Sequence, residues 1–470
     1  MRLGTVAFRS KFVLAIICSV GFHGTPLAAG DWSRFRGPNG AGVGADGAAA
    51  PLEWSDTKNL KWKAALPGPG LSSPIVVGDR VFVTCWSGYG DSRNQEATEQ
   101  DLKRHLLCLD RQTGKTLWSK TIDPVLPEEP FRGMNVENGY ASQTPVSDGE
   151  RVFVFFGKTG VLAFDMNGNQ LWQTSVGTDF DPMGRGTAGS PILYKNLVIV
   201  PASIESHSLV ALDKQTGKVA WQKEADGFGA TWSTPILVDV AEGRQELVMS
   251  VPYEIWGFDP DTGKLLWYCE STDSESVCSS AVAHDGVVYV IEGRGGGSIA
   301  VRAGGQGDVT KTHVLWTGRQ RGRIGTPLYY DGRLYSVGGG IAVCLDAATG
   351  KEVYQARVKR SSASSADGAR PETAQREGPP RGRGGFGGFG GFGGGMGGQD
   401  YASPVVAGGM LYYVTRSGET IVTGLSDKFE QLASNRFASD AGDFSATPAI
   451  ADGELLLRSS THLYCVSAEK

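Results

Sequence analysis

The sequence predicts an all-β fold: an eight-bladed β-propeller of four-stranded antiparallel blades, its ring closed by an N-terminal strand. Three recurring columns of residues predict it. The first is a Ser/Thr-Pro start at Ser73, Thr144, Ser190, Thr234, Ser280 (followed by Ala281), Thr326, Ser403 and Thr447. Successive starts are 71, 46, 44, 46, 46, 77 and 44 residues apart. A period near 45 interrupted by two insertions is the mark of four-stranded blades that stack because none can bury its own faces. The second column is a strand whose second position is small, as in Leu107-Cys108-Leu109, Leu162-Ala163-Phe164, Val210-Ala211-Leu212, Trp256-Gly257-Phe258, Ile299-Ala300-Val301, Val343-Cys344-Leu345, Thr423-Gly424-Leu425 and Tyr464-Cys465-Val466. Close packing of one sheet on the next accounts for the restriction. The third is a closing aromatic at Trp118, Trp172, Trp221, Trp267, Trp316 and Tyr354.

The stretch from Thr144 to Trp172 shows the unit most cleanly. An Asp-Gly turn, the alternating run Val152 to Phe155, a turn at Lys158-Thr159-Gly160, the strand Val161 to Phe164 and a turn at Asn167-Gly168 read as successive antiparallel strands. Turns and blade packing explain its Pro, Gly, Asp and Trp, so little chemistry is expected of it. The turn Asp-x-x-Thr-Gly-Lys recurs at Asp110, Asp213, Asp259 and Asp346. Asp and Thr bond nearby backbone and Gly tolerates positive φ, so a tight reversal requires these types without any ligand. The eighth repeat ends without an aromatic, whereas Trp62 has no repeat in front of it. The segment around Trp62 is therefore expected to supply the outer strand of the last blade, which removes the open sheet edges.

Residues 1–30 read as a secretory signal: Arg2, Arg9 and Lys11, an apolar run from Phe12 to Phe22, then Ala28-Ala29-Gly30. The run is shorter than the ~18 residues of a membrane span. Ile17 before Cys18 does not suit lipid attachment. Residues 31–53 form a loose lead-in, and 54–470 the propeller with a Gly/Arg/Phe-rich insertion at 360–399 that is expected to be disordered. Losing the three positive charges of the signal moves the formal balance from −5 to −8. That is not a surface for phosphate backbones, so no nucleic acid is expected. With 67 glycines, the chain is too Gly-rich for an ordinary helical enzyme.

Ala211-Leu212-Asp213 through Thr216-Gly217-Lys218 to Trp221 resembles the repeat of the pyrroloquinoline quinone (PQQ)-type propellers, and the likeness covers essentially residues 55–470. Asp31-Trp32 to Gly37-Pro38 and Gly304 to Trp316 are similar to a bacterial exported subgroup. The resemblance implies two functions on one fold. Quinone-dependent dehydrogenases hold PQQ in the central channel, the alcohol enzymes with an adjacent Cys-Cys disulfide, a Trp floor and calcium. The BamB-type outer-membrane assembly scaffold binds partner proteins without chemistry. No two cysteines are adjacent here, and the acidic and amide calcium set finds no counterpart.

Cys108, Cys344 and Cys465 occupy the small-residue column as packing groups; Cys269 either pairs with Cys278 or, like Cys85, stays reduced. His105 and His462 share a register in neighbouring blades, more simply as strand-end side chains than as metal ligands. Gly293 to Gly297 reads as a hairpin, not a nucleotide cradle.

Long connections concentrate on one rim: Trp86–Arg104, Pro124–Tyr140, Gly177–Gly189, Ser203–Ser208, Gly318–Ile324 and Val358–Asp400. A rigid scaffold varies such loops without disturbing its sheets, so this rim is the candidate binding face. Arg132, Asn135, Glu137, Asn138, Tyr140, Arg185, Trp232, Arg319, Arg321 and Arg323 are its candidate residues. They suit a polar or anionic ligand or a partner segment. The expected protein is an exported, monomeric, non-catalytic scaffold of the periplasm or envelope that binds a protein or polysaccharide, with no resident cofactor. A PQQ- and calcium-dependent dehydrogenase and a carbohydrate-binding module are the alternatives.

Overall fold

The structure is a computed structural model, and it describes residues 30–45, 50–181, 184–241, 243–292, 296–320, 322, 324–360 and 399–468. Residues 1–29, where a signal segment is expected, most of the 360–399 insertion and residues 293–295 of the expected hairpin lie outside the described residues. The rest is eight antiparallel sheets in a ring. Blade 1 comprises Ile75–Val77, Arg80–Ser87, Lys103–Asp110 and Thr116–Ile122, inner strand to outer. Blades 2 to 7 begin at Val146, Ile192, Ile236, Val282, Leu328 and Val405. Blade 8 takes Ala449–Ala451, Glu454–Arg458 and His462–Ser467 from the C-terminus and Leu60–Ala65 from the N-terminus, as expected.

Each column has a physical cause. The Ser/Thr hydroxyl at seven of the eight starts, all but Ser73, accepts a hydrogen bond from the backbone N–H of the equivalent residue one blade earlier. The links run from Ser73 to Thr144, Ser190, Thr234, Ser280, Thr326, Ser403 and Thr447, at 2.9–3.1 Å. At the closing seam Arg458 Nη1 donates to Ser72 O at 2.7 Å and Ser72 Oγ at 2.6 Å. The small residues stand directly opposite the aromatics across the two outer strands: Cys108 faces Trp118, Ala163 Trp172, Ala211 Trp221 and Cys465 Trp62. Blade 7 corrects the expected register. There Val422 faces Ala433, so the large and small partners have exchanged strands and Gly424 lies past the bulge.

The aromatics also couple blades. The indole N–H of Trp62, Trp118, Trp172, Trp221 and Trp316 donates to a carbonyl in the turn of the following blade, Trp62 to Arg111 O at 2.8 Å. Those turns need Gly because the indole leaves no room: a Cβ on Gly114 would stand 2.7 Å from the Trp62 ring. Trp267 departs from this rule. The connection after Arg302 adds Gly307–Asp308 in parallel to blade 4's outer strand, and Trp267 donates to Glu246 Oε2 at 2.7 Å instead.

The lead-in is not loose. Trp32 pairs with Val76 of blade 1, Ser33 O accepts from Ser147 N of blade 2, Asn39 Nδ2 donates to Leu237 O of blade 4, and Val43 bridges to Val406 of blade 7. Residues 31–44 therefore lie across the central bore, beside the rim of short turns. Trp54 then stacks on Tyr412, whose hydroxyl donates to Ala50 O at 2.7 Å.

Candidate functional site

At the opposite mouth, the connection between blades 1 and 2 folds over the bore. Its one turn of helix, Asn135–Asn138, ends at Gly139. The Glu137 carboxylate accepts from Arg416 Nη1 of blade 7 at 2.6 Å and from the Tyr401 hydroxyl at 3.2 Å. Asn138 Nδ2 donates to Arg185 O at 2.5 Å, and the Arg185 guanidinium lies 4.4 Å over the Trp232 ring while bonding Asp181 at 2.8 Å. Trp232 Nε1 donates to Gly186 O at 2.7 Å. One chain of contacts thus bridges the mouth from blade 7 to the entrance of blade 4.

Asn135 is buried beneath this bridge, donating to Glu129 O and Pro130 O, each at 3.2 Å. The Tyr140 hydroxyl also donates to Glu129 O, at 2.6 Å. Burial raises the Tyr140 phenol above its ordinary range. Six of the candidates, Asn135, Glu137, Asn138, Tyr140, Arg185 and Trp232, are therefore brought together. Arg132, whose carbonyl accepts from Asn135 N, and Arg319 are exposed; Arg321 and Arg323 lie outside the described residues.

Below the bridge is a charged cluster that sequence reasoning missed. Arg104 Nη1 bonds Glu128 Oε1 at 2.6 Å and Thr159 Oγ1 at 2.7 Å, and Arg104 Nε donates to Tyr140 O at 3.0 Å. Lys158 donates to Pro127 O, and its ammonium sits 3.5 Å from the centre of the Phe180 ring. Glu129 Oε1 accepts from Asp181 N at 2.7 Å. Arg104, Glu128, Glu129, Tyr140, Lys158 and Glu205 are among the residues that line a cavity of about 20 Å³. That is room for a single water.

Desolvation raises the Glu129 carboxyl and lowers the Lys158 ammonium from their ordinary values. Glu205 is 1% exposed, its Oε2 has no hydrogen-bond partner, and burial, with the nearby Glu128 charge adding to it, pushes its carboxyl up to about 7. The turn at Lys158-Thr159, read from sequence as mere reversal, in fact delivers two side chains to this cluster. The signal was a Lys in a turn that lacks the Asp of the other reversals.

Two further expectations are corrected or resolved. No disulfide joins any of the six described cysteines, so Cys269 and Cys278 do not pair; Cys269 points into the core between blades 4 and 5. His105 bonds Ser87 Oγ at 2.7 Å and Thr121 Oγ1 at 3.3 Å, while His462 lies 3.4 Å from Asp440. Among the described residues no group of three or more His, Cys, Asp or Glu side chains is arranged to hold a metal ion.

The fold and bridged channel define the class: a closed, repeat-built propeller whose bore is crossed by its own chain. A family model described as outer membrane protein assembly factor BamB matches residues 97–230. The chain superposes on BamB from Moraxella catarrhalis with a TM-score of 0.55 at 11% identity, covering 87% of this chain and 97% of that one. It superposes on the quinohemoprotein alcohol dehydrogenase from Comamonas testosteroni at 0.57 and 11%, covering 94% and 81%. In sequence it is 25% identical over 332 residues to the tetrathionate hydrolase of Acidithiobacillus ferrooxidans, 64% of this chain and 61% of that protein. It is 24% identical over 263 residues to the polyvinylalcohol dehydrogenase of a Pseudomonas species, 46% and 37% respectively. These matches span less than two thirds of either relative. The chain thus shares the eight-bladed fold of these propellers, and residues 97–230 carry the sequence likeness to the BamB family model.

The residues present do not fit PQQ with calcium. The bore that would receive a tricyclic quinone is crossed by residues 31–44 and bridged at its other mouth by Asn135–Asn138. Three of the carboxylates near that bridge, Glu128, Asp181 and Glu137, are committed to Arg104, Arg185 and Arg416.

Proposed function

We propose that this protein is an exported scaffold that docks a protein partner of the cell envelope on its loop-rich face. The carrying observation is how that face is composed. Its central charged groups pair with one another, Arg104 with Glu128, Arg185 with Asp181 and Arg416 with Glu137, whereas Val125, Leu126, Val136 and Phe180 stand exposed around them. Lys158 ties Pro127 to Phe180, so the Val125-Leu126 pair and Phe180 form one patch. Exposed apolar side chains on a rigid, polar-rimmed surface suit a partner contact. The BamB likeness of residues 97–230 falls on the segments that build this patch. No helix of the described residues is long and apolar enough to cross a membrane.

The test is crosslinking capture from envelope extract with the wild type and with Leu126→Asp/Phe180→Asp. The expected result is a discrete partner lost in the double variant; equal capture by both would refute the patch. A quinone-dependent dehydrogenase is the second reading, supported by the names of several relatives. Dye-linked turnover of alcohols after reconstitution with PQQ and calcium would establish it and overturn the scaffold.

A further inference from the structure

Five arginines are buried among the described residues: Arg34, Arg36, Arg104, Arg111 and Arg458. Two are neutralised, Arg104 by Glu128 at 2.6 Å and Arg111 by Glu454 at 2.7 Å. The other three have no carboxylate within ion-pair distance among the described residues, and two of these belong to the segment that crosses the bore. Arg36 is 1% exposed and donates only to carbonyls, Pro327 O at 2.8 Å and Ala41 O at 3.3 Å. Arg34 donates to Pro235 O at 3.2 Å. The Nε atoms of both are buried without a hydrogen-bond partner. Arg458 keeps one nitrogen on Ser72 and leaves Nε and Nη2 without partners.

Arg34 reaches blade 4 and Arg36 blade 6 from the segment that crosses the bore, while Arg458 reaches the seam between blades 8 and 1. Pro235 and Pro327 are one residue beyond the ring of Ser/Thr hydroxyls, and Ser72 and Gln143 one residue before it. The guanidiniums of Arg34 and Arg36 therefore stand buried inside the ring of blades with no carboxylate partner among the described residues. Desolvation lowers Arg34 to about 10 and Arg36 to about 9, so both stay protonated near neutral pH. Buried charges are ordinarily paired, because an unpaired one costs several kcal/mol. Carbonyl dipoles satisfy individual N–H groups but supply no net charge.

We infer that the bore binds a small tetrahedral oxyanion, sulfate or phosphate, on Arg34 and Arg36, and that this ion rivets the N-terminal segment into the channel. Gly42 belongs to the same device: its φ is +75°, and a Cβ there would stand 2.5 Å from Arg36 Nη2, so only Gly lets the segment fold around the guanidinium. The inference does not depend on the partner-binding reading, since the site lies inside the bore.

The test uses the full mature chain, dialysed into chloride. Native mass spectrometry reads any oxyanion carried through purification, and thermal unfolding is followed against added sulfate and, separately, phosphate at constant ionic strength. The expected result is either one bound oxyanion per chain or a saturable rise in Tm that follows ligand linkage. Arg36→Met and Arg34→Met should lose it, and Arg36→Lys should keep part of it. Non-specific stabilisation by sulfate does not saturate and would be shared by every variant. No retained mass, together with an unsaturated response to both anions in the wild type, overturns the inference even if the Met variants fail to fold.

Discussion

Glu205 gives the sharpest quantitative handle on the charged cluster. It sits in the short helical turn Ser203–Ser206 of blade 3, its carboxyl buried against the cavity that Arg104, Glu128, Glu129 and Lys158 share. Its proton affinity rises from the ordinary 4.5 to about 7, first through desolvation and then through Glu128. At about 1.4 kcal/mol for each tenfold change in affinity, this difference is worth roughly 3 kcal/mol. Because the folded protein binds this proton more tightly than the unfolded chain, the contribution is complete below about pH 4.5. It is lost as pH rises through about 7. Urea unfolding from pH 4.5 to 8, for the wild type and Glu205→Gln, isolates it. Relative to the variant, the wild type should lose on the order of 3 kcal/mol across that window. Parallel profiles would refute the claim that burial raises the Glu205 carboxyl.

The remaining predictions test closure, charge pairing and packing. Trp62→Ala removes the indole that docks blade 8 on blade 1 and should cost about 3–5 kcal/mol, read as a fall in Tm; a near-neutral result would show that the N-terminal strand does not hold the ring. Glu128→Ala strands Arg104 in the interior and should also cost about 3–5 kcal/mol. Denaturant midpoints measure it, and Glu128→Ala/Arg104→Met should recover much of the loss. Under native conditions Ellman's reagent should label Cys278, which is partly exposed, ahead of Cys85, Cys108, Cys269, Cys344 and Cys465, which are buried. Burial raises the thiols of Cys85 and Cys344 to about 11, and those of Cys108, Cys269 and Cys465 to about 12. Rapid native labelling of several thiols would contradict this packing.

Much of the fold was legible because each blade solves the same packing problem with the same residue types. A Trp on an outer strand demands a small residue opposite and a Gly in the next turn, so Trp172, Ala163 and Gly217 reveal themselves as a periodic set. Trp62 could be assigned to the last blade from the sequence because it broke the count. The site was legible only as a location. Clustering of long loops on one rim pointed to the segment holding Asn135, Glu137, Asn138 and Tyr140, but local sequence carries no sign that Glu137 meets Arg416, 279 residues away. Lys158 and Thr159 looked like turn residues because the neighbour that buries them arrives from another blade.

By itself, then, the sequence determined the number of blades, their register in all but blade 7, the closing strand and the face that carries the loops. These follow from periodicity and from steric rules between residues close in the chain or repeated along it. Only the tertiary structure decided that residues 31–44 cross the bore, that the mouth is bridged, and that three buried guanidiniums lack carboxylates among the described residues. Charge neutralisation in the interior depends on which groups converge from distant blades, and a lone Arg34 or Arg36 in a glycine-rich lead-in bears no mark of the surroundings it will meet.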